Sequence, residues 1–304
     1  MSAQLLFSVV VPTRNRPEAL GCLLDGLANL DTPAEQFEVL VVDDGGHAPL
    51  DDMEPSCAGR MQIRILRQAW TGPGGARQTG ALQARGQYLA FIDDDCRPAP
   101  DWLDILGRRL SREPDCGVGG RVVNALPHNP YAECNQRLMT YCYRHFNRDS
   151  HDGRFFTTNN LAFPRKRFLT MAGIDRDWPT VCGEDREVCD RWRFGGGRIC
   201  YEPEAVVYHA HRLGLRSFVA RQFRYGQGSC AYHRARARRW TDGIRLEPVG
   251  FYLGLPFRPL REEPWPRALI LAGLLLVSQA ASFGGFAWQS MRQRLSRREP
   301  TTSR

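Results

Sequence analysis

Residues 88–95 read Tyr-Leu-Ala-Phe-Ile-Asp-Asp-Asp, an apolar run that leads straight into three carboxylates. Phe91 and Ile92 set the triplet at a fixed, partly buried position at the end of a strand. Asp93, Asp94 and Asp95 would repel one another there unless a cation or hydrogen-bond donors compensate them. A divalent metal is the economical answer. Hard oxygen ligands favour Mg2+ or Mn2+, ions that commonly bridge to a phosphate group. Side chains alternate along an extended chain, so Asp93 and Asp95 are expected to share one metal site while Asp94 points elsewhere. The competing reading is a solvated loop with a helix cap, since Asp and Pro98 are ordinary loop residues.

Upstream, β-branched runs alternate with helical patterns, the rhythm of βαβ units and a largely parallel sheet. Phe7 to Val11 reads as the first strand, the loop Pro12-Thr13-Arg14-Asn15-Arg16 follows, and Pro17-Glu18 opens a helix with Leu20, Leu23, Leu24 and Leu27 on one face. Phe37 to Val42 is a second strand ending in Asp43-Asp44-Gly45-Gly46, and Ile63 to Leu66 a third. Polar residues thus gather beyond the carboxyl ends of successive strands, where open α/β sheets bind ligands. The Asp43-Asp44 pair reads either as a plain Asp-Gly turn or as a carboxylate accepting a uracil imide hydrogen or a ribose hydroxyl. Gly72-Pro73-Gly74-Gly75 is expected as a loop exposing backbone amides, with Arg77 near the start of a helix running from Ala76, a combination suited to phosphate.

Downstream, Thr157-Thr158-Asn159-Asn160 precedes a strand at Leu161–Phe163. Gly183-Glu184-Asp185 opens a helix that Gly195-Gly196-Gly197 stops, and its carboxylates serve either as caps or as a general base. Arg198–Tyr201 and Ala205–Tyr208 read as two further strands, the second leading into His209 and His211. Trp178 and Trp192 either line an acceptor pocket or simply pack.

The chain has 304 residues, 42% hydrophobic and 24% charged, which excludes disordered, collagenous and disulfide-scaffold classes. Its net charge of +8 is almost entirely arginine, Lys166 being the one lysine, and arginine suits phosphate and membrane surfaces. The ten cysteines are scattered, with no CxxC pair and no metal-type spacing, as in a reduced cytosolic protein. The apolar run Leu5–Val11 lacks a basic leader and breaks at Pro12, so it is expected as a strand and not an export signal. Residues 268–288 carry no charge and are long enough to span a bilayer, yet Gly273, Ser278, Gln279 and Ser282 dilute them and arginines flank both sides. The arginines between 234 and 239 lie in no recognisable nucleic-acid module, so no nucleic-acid partner is expected.

Taken together, Val9-Val10-Val11-Pro12-Thr13-Arg14-Asn15, Val41-Val42-Asp43-Asp44-Gly45, Gly74 to Arg77, Phe91 to Asp95, Asn159-Asn160 and Gly183-Glu184-Asp185 resemble, in that order, the family 2 glycosyltransferases over residues 7 to 230. The resemblance implies the GT-A fold, a Rossmann-like α/β/α sandwich with a mostly parallel central sheet, here followed by a helical carboxy-terminal tail. It divides the chain into a catalytic domain, 1–230, and a basic, helical, membrane-associating region, 231–304. It further implies that Pro12, Thr13, Arg14, Asn15, Asp44, Arg77, Asp94 and Asn160 hold a nucleotide-sugar donor, that Asp93, Asp95 and His209 hold the metal, and that Asp185, with Glu184 in reserve, is the catalytic base. Many relatives carry a small residue between the metal aspartates, where this chain has Asp94. The activity so implied is inverting transfer, most readily from a UDP-sugar, to a saccharide or lipid-linked acceptor at the cytosolic membrane face. The alternatives are a non-catalytic sugar-nucleotide or polysaccharide binder on the same fold and a sugar nucleotidyltransferase.

Overall fold

The β-branched and apolar runs become the strands of one sheet, because their side chains can be buried on both faces of it. The computed structural model describes residues 5–47, 50, 61–171, 173–241 and 247–296. Strands β1 (Phe7–Thr13), β2 (Phe37–Asp44), β3 (Gln62–Gln68) and β4 (Tyr88–Phe91) lie parallel in the order β3-β2-β1-β4. The sheet continues through β7 (Leu161–Pro164), β6 (Cys116–Asn124) and β8 (Arg198–His209) to the short edge strand β5 (Cys96–Pro98). β7 runs antiparallel to both β4 and β6, whereas β8 is parallel to β6.

Helices cover both faces. Phe7, Val9, Val11, Val39 and Val41 pack against α1 (Pro17–Leu27) and α3 (Trp102–Arg112), while Val10, Leu40, Leu89 and Phe91 face α2 (Gly72–Gln83), α5 (Arg165–Thr170) and α6 (Glu184–Phe194). Glu38, fully buried on β2, accepts hydrogen bonds from Ser8 Oγ at 2.7 Å and from the Arg85 backbone N–H and guanidinium at 2.7 and 2.8 Å. It ties β1 and β2 to the chain leaving α2.

Two expectations change. The strands read at 198–201 and 205–208 are one strand, because the extra residues after Glu202 are taken up in a bulge: Glu202 pairs with Gly120 and Val206 with Arg121. Pro203, which has no N–H to offer a ladder, falls in that bulge. The glycines at 72–75 form the first turn of α2 instead of a loop before it, with Pro73 at a position where its missing N–H costs nothing. Gly75 is required there, since a Cβ would lie 2.3 Å from Thr71 Oγ1.

Contacts divide the chain into two compact units: residues 1–126, 142–178 and 188–211 form one, and residues 127–141, 179–187 and 212–304 the other. Position 230, the expected boundary, lies inside the continuous helix α7 (Leu215–Trp240). The second unit also contains part of α4 (Pro130–Phe146), the short helices α8 (Val249–Phe257) and α9 (Pro259–Glu262), and the long α10 (Trp265–Ser296). Within it α7 and α10 touch through small residues, a Cβ on Gly226 falling 1.8 Å from the Ser282 carbonyl oxygen and one on Gly285 falling 1.9 Å from that of Phe223. Gln222, fully buried between them, accepts from Ser278 Oγ at 2.9 Å and donates to Asn135 at 3.3 Å. Among the described residues α10 is the one helix long and apolar enough to cross a membrane, and its outer face carries the exposed Trp265, Leu269, Ile270, Phe283 and Trp288.

Candidate active site

The carboxyl ends of β1, β2 and β4 deliver Thr13, Asp44 and the aspartate triplet to one edge of the sheet. The triplet has already left the strand: β4 ends at Phe91, and the chain turns so that the Cys96 N–H bonds the Asp93 carbonyl at 3.1 Å. Strand alternation therefore does not govern the three carboxylates, and each finds its own partner. Asp93, expected to share a site with Asp95, accepts from Arg77 at 2.5 Å. Asp94 is buried, accepts from Thr13 Oγ1 at 2.8 Å and lies 3.1 Å from Arg16. Asp95 accepts from Arg16 at 2.8 Å and faces His209 Nε2 at 3.1 Å.

The edge strand explains this last contact. β5 begins right after Asp95 and pairs Cys96 with His209, and the Ala210 N–H closes the junction on the Asp95 carbonyl at 2.8 Å. His211, two residues on, returns to the same side, its ring centroid 4.1 Å from that of His209. Asp95, His209 and His211 thus offer three ligand atoms within 4.8 Å of one another, a carboxylate oxygen and two imidazole nitrogens that suit a divalent cation. Asn159 Nδ2 approaches His209 Nδ1 at 3.4 Å, on the side away from Asp95.

Electrostatics separates the neighbouring acids. Burial opposes ionisation of Asp95, but the His209 hydrogen bond and the charges of His209, Arg16 and His211 outweigh it and hold the carboxyl well below the usual carboxylate range. Burial dominates at Asp94, where Arg16 only partly offsets it and Asp95 and Asp93 add to it, so that carboxyl is pushed up to about 6.

Other expected donor contacts are spent inside the fold. Asp44 receives the Thr71 and Gly72 N–H groups at 2.8 Å each, together with Gln68 Nε2 at 2.8 Å, so it caps the start of α2. Asp43 accepts only the Gly46 N–H, at 2.9 Å, among the bonds described for it. Asn160 is fully buried, donating to the Arg121 and Ala205 carbonyls at 3.0 and 2.9 Å and accepting from Trp102 Nε1 at 2.9 Å. Pro12 is paired within the sheet, opposite Val42. Asn15 takes a positive φ of 54° and accepts from the His47 N–H at 2.6 Å, and Arg14 reaches over the exposed Trp70 ring at 5.7 Å. Trp192 is core, packed on Phe163 at 4.7 Å.

Glu184 and Asp185 open α6 within the second unit. Asp185 Oδ1 accepts the Arg186 N–H at 2.7 Å, and the charges of Arg221, Arg224, Glu184 and Asp185 all act on the neighbouring Cys182. Gly183 holds this turn at a φ of +90°, pressed so closely on α7 that a Cβ would lie 2.8 Å from the Gly228 carbonyl oxygen.

Residues 8–170 match the model of Glycosyl transferase family 2. The chain belongs to that family. It is 30% identical over 229 residues to a pre-mycofactocin glycosyltransferase of Mycobacterium tuberculosis, with 74% of this chain and 46% of the relative covered. Glycosyltransferase AglE of Haloferax volcanii is 32% identical over 234 residues, with 75% and 74% covered. The family 2 chain thus spans about half the length of the first of these relatives. Among solved structures, a Pyrobaculum calidifontis mannosyltransferase in complex with GDP-Man and Mn2+ superposes with a TM-score of 0.61 at 20% identity, covering 98% of this chain and 82% of that one. The Staphylococcus aureus TarS fragment 1–349 in complex with UDP-GlcNAc gives 0.53 at 17% identity, covering 96% and 92%. The fold of this family 2 chain is therefore GT-A.

Sequence reading gave Arg16 and Asn159 no role of their own, and chose His209 over His211 where spacing supported both. Arg16 had a legible signal as the last residue of the loop that follows β1. Asn159 had none, because both amides are buried and only their hydrogen-bond partners show which of the two turns toward the histidines.

Proposed function

We propose that this chain is a metal-dependent, inverting glycosyltransferase that moves a sugar from a nucleoside diphosphate donor, a UDP-sugar, to an acceptor hydroxyl. The observation that carries the reading is the Asp95, His209 and His211 cluster at the carboxyl edge of the parallel strands, with Arg16 and Arg77 beside it. Asp95, His209 and His211 are the residues that would hold Mg2+ or Mn2+; when bound, the ion offsets charge developing on the departing diphosphate. The GDP-Man and Mn2+ complex of the archaeal mannosyltransferase and the UDP-GlcNAc complex of TarS support a nucleotide-sugar donor.

The chain's own groups do the rest. Arg16 and Arg77 keep the acidic turn in one conformation and present positive charge to the diphosphate. Asp43 takes the nucleotide role expected of Asp44, because capping α2 has used the Asp44 oxygens. Trp70 and Arg14 offer a flat apolar face and a cation for the base. Asp185, at the start of α6, takes the acceptor proton, and a single in-line displacement inverts the anomeric centre. The exposed apolar face of α10 and the arginines of α7 attach the enzyme to the cytosolic membrane face, where envelope or lipid-linked acceptors are reached.

The test is calorimetric titration with UDP- and GDP-sugars, with and without Mn2+, on the native chain and Asp95→Ala. Mn2+-dependent binding of one sugar nucleotide, abolished in the variant, is expected; absence of binding to every donor overturns the reading. Release of pyrophosphate in place of a nucleoside diphosphate during turnover identifies a nucleotidyltransferase instead.

A further inference from the structure

The opposite end of β8 carries a second cluster that the transfer reaction does not use. Glu113, just beyond α3, Cys116 at the start of β6 and Cys200 near the start of β8 place a carboxylate oxygen and two sulfurs within 4.8 Å of one another. Both cysteines are buried, and the Cys200 thiol donates to Glu113 Oε2 at 3.4 Å. From Cys200 to His209 the strand rises by roughly 25 Å, at about 3.3 Å per residue less the bulge, so the two clusters are separate.

Register decides what the sulfurs can do. Cys116 stands opposite Arg198, and Cys200 stands opposite Val118, so the two cysteines are diagonal neighbours two residues out of register. Parallel strands lie about 4.8 Å apart and rise about 3.3 Å per residue, so an offset of two residues puts the Cα atoms about 8 Å apart, beyond the reach of an unstrained disulfide. A metal ion bridges such a pair without strain. Zinc bonds of about 2.3 Å to sulfur and about 2.0–2.2 Å to oxygen put ligand atoms about 3.5–3.8 Å apart, close to the sulfur–carboxylate spacing present.

We propose that Cys116, Cys200 and Glu113 form a binding site for a thiophilic divalent cation, zinc, that pins the end of α3 to β6 and β8. Two thiolates and a carboxylate against one divalent ion leave a single negative charge, which Arg109 and the more exposed Arg198 offset. The Arg109 guanidinium holds Glu113 Oε1 at 2.9 Å and contacts His151 Nδ1 at 3.1 Å, while Arg198 holds Oε2 at 2.9 Å from the exposed side, so the ion would take the second lone pair of Oε2, in place of the Cys200 thiol proton. This is the outer hydrogen bonding that orients a metal-ligating carboxylate. His151, with 62% of its side chain exposed, lies 4.0 Å from Glu113 Oε1 and puts this side of the cluster next to solvent.

The experiment is Co2+ substitution of the chelator-treated full chain, read by the thiolate-to-cobalt charge-transfer absorption. The Asp95 cluster has no sulfur and is silent in this band. One equivalent of Co2+ giving the band, displaced by Zn2+ and absent in Cys116→Ser/Cys200→Ser, is the expected result, with Zn2+ also raising the melting temperature of the native chain. Should that double variant not fold, Glu113→Gln keeps both sulfurs, and the proposal requires Zn2+ to bind it at least about tenfold more weakly. No band in the native chain, a band that persists in the double variant, or unchanged Zn2+ affinity in Glu113→Gln overturns the site.

Discussion

At the residue scale, Asp94 and Glu38 are buried acids with opposite consequences. The Asp94 carboxyl has its pKa raised from 3.8 to about 6, so the folded chain binds that proton more tightly than the unfolded chain does. Its stabilising contribution is full below pH 3.8 and is lost as the pH rises through about 6. In metal-free protein, Asp94→Asn is expected to flatten the fall in melting temperature over that window, measured by thermal unfolding across pH; an unchanged profile would refute the assignment. Glu38 behaves in reverse: burial works against its charge, but Arg85 and Ser8 more than compensate and lower its pKa. Its contribution is present above the ordinary value of 4.5 and is lost as the pH falls through the lowered one. Glu38→Ala strips acceptors from Ser8 and the Arg85 N–H, and is expected to cost about 2–3 kcal/mol in urea unfolding. For Asp185→Asn the expected effect is kinetic, a fall in kcat of about 10²–10⁴-fold with donor affinity kept, and Glu184→Gln is the comparison that separates base from helix cap. A variant that keeps full turnover removes Asp185 from the role of base.

At the scale of elements, the α7 and α10 pair rests on positions that tolerate no side chain. Gly226→Val puts atoms against the Ser282 backbone, and overpacking of this kind costs about 1–3 kcal/mol or more. Limited proteolysis is expected to cut the second unit of that variant while sparing the sheet; equal resistance of both units would show that the helices can move apart. The elements also show which parts of the site were legible. Apolar runs ending in polar residues revealed β1, β2, β4 and the ligand edge, because strands buried on both faces write themselves as largely unbroken hydrophobic stretches. What stayed hidden was which polar groups the fold consumes. Asp44 and Asn160 carry the right chemistry in the right order, yet one caps a helix and the other joins β6, β8 and Trp102. That distinction depends on which N–H and C=O groups lack a ladder partner, a property of the assembled sheet. The Cys116 and Cys200 pairing was hidden for the same reason, since strand order brings together residues far apart in the chain.

At the scale of the whole molecule, the net charge of +8 and the apolar face of α10 underlie the proposed attachment to an anionic lipid surface. The partnership of α10 with α7 argues against crossing it. Gln222 meets Ser278 and Gly226 meets Ser282, so Arg221 and Arg224 stand level with the middle of the apolar stretch. A spanning orientation would carry them into hydrocarbon at about 2.5–3.5 kcal/mol each, whereas an interfacial one leaves them among headgroups. The expected behaviour is binding to vesicles containing phosphatidylglycerol, weakened by salt, with release from membranes in alkaline carbonate. Retention after carbonate would mean that α10 spans.

The bulge in β8 gives the sheet an unusual tolerance. It separates the register at Cys200 from the register at His209, since pairing with β6 restarts at Val206. A residue gained or lost between Glu202 and Val206 can be absorbed as slack, leaving both ends facing as they do. The same change between Val206 and His209 would turn the histidine to the other face. Lineages descending from this chain can therefore vary in length at 203–205, while the last turn of sequence before the histidines is bound to a single length.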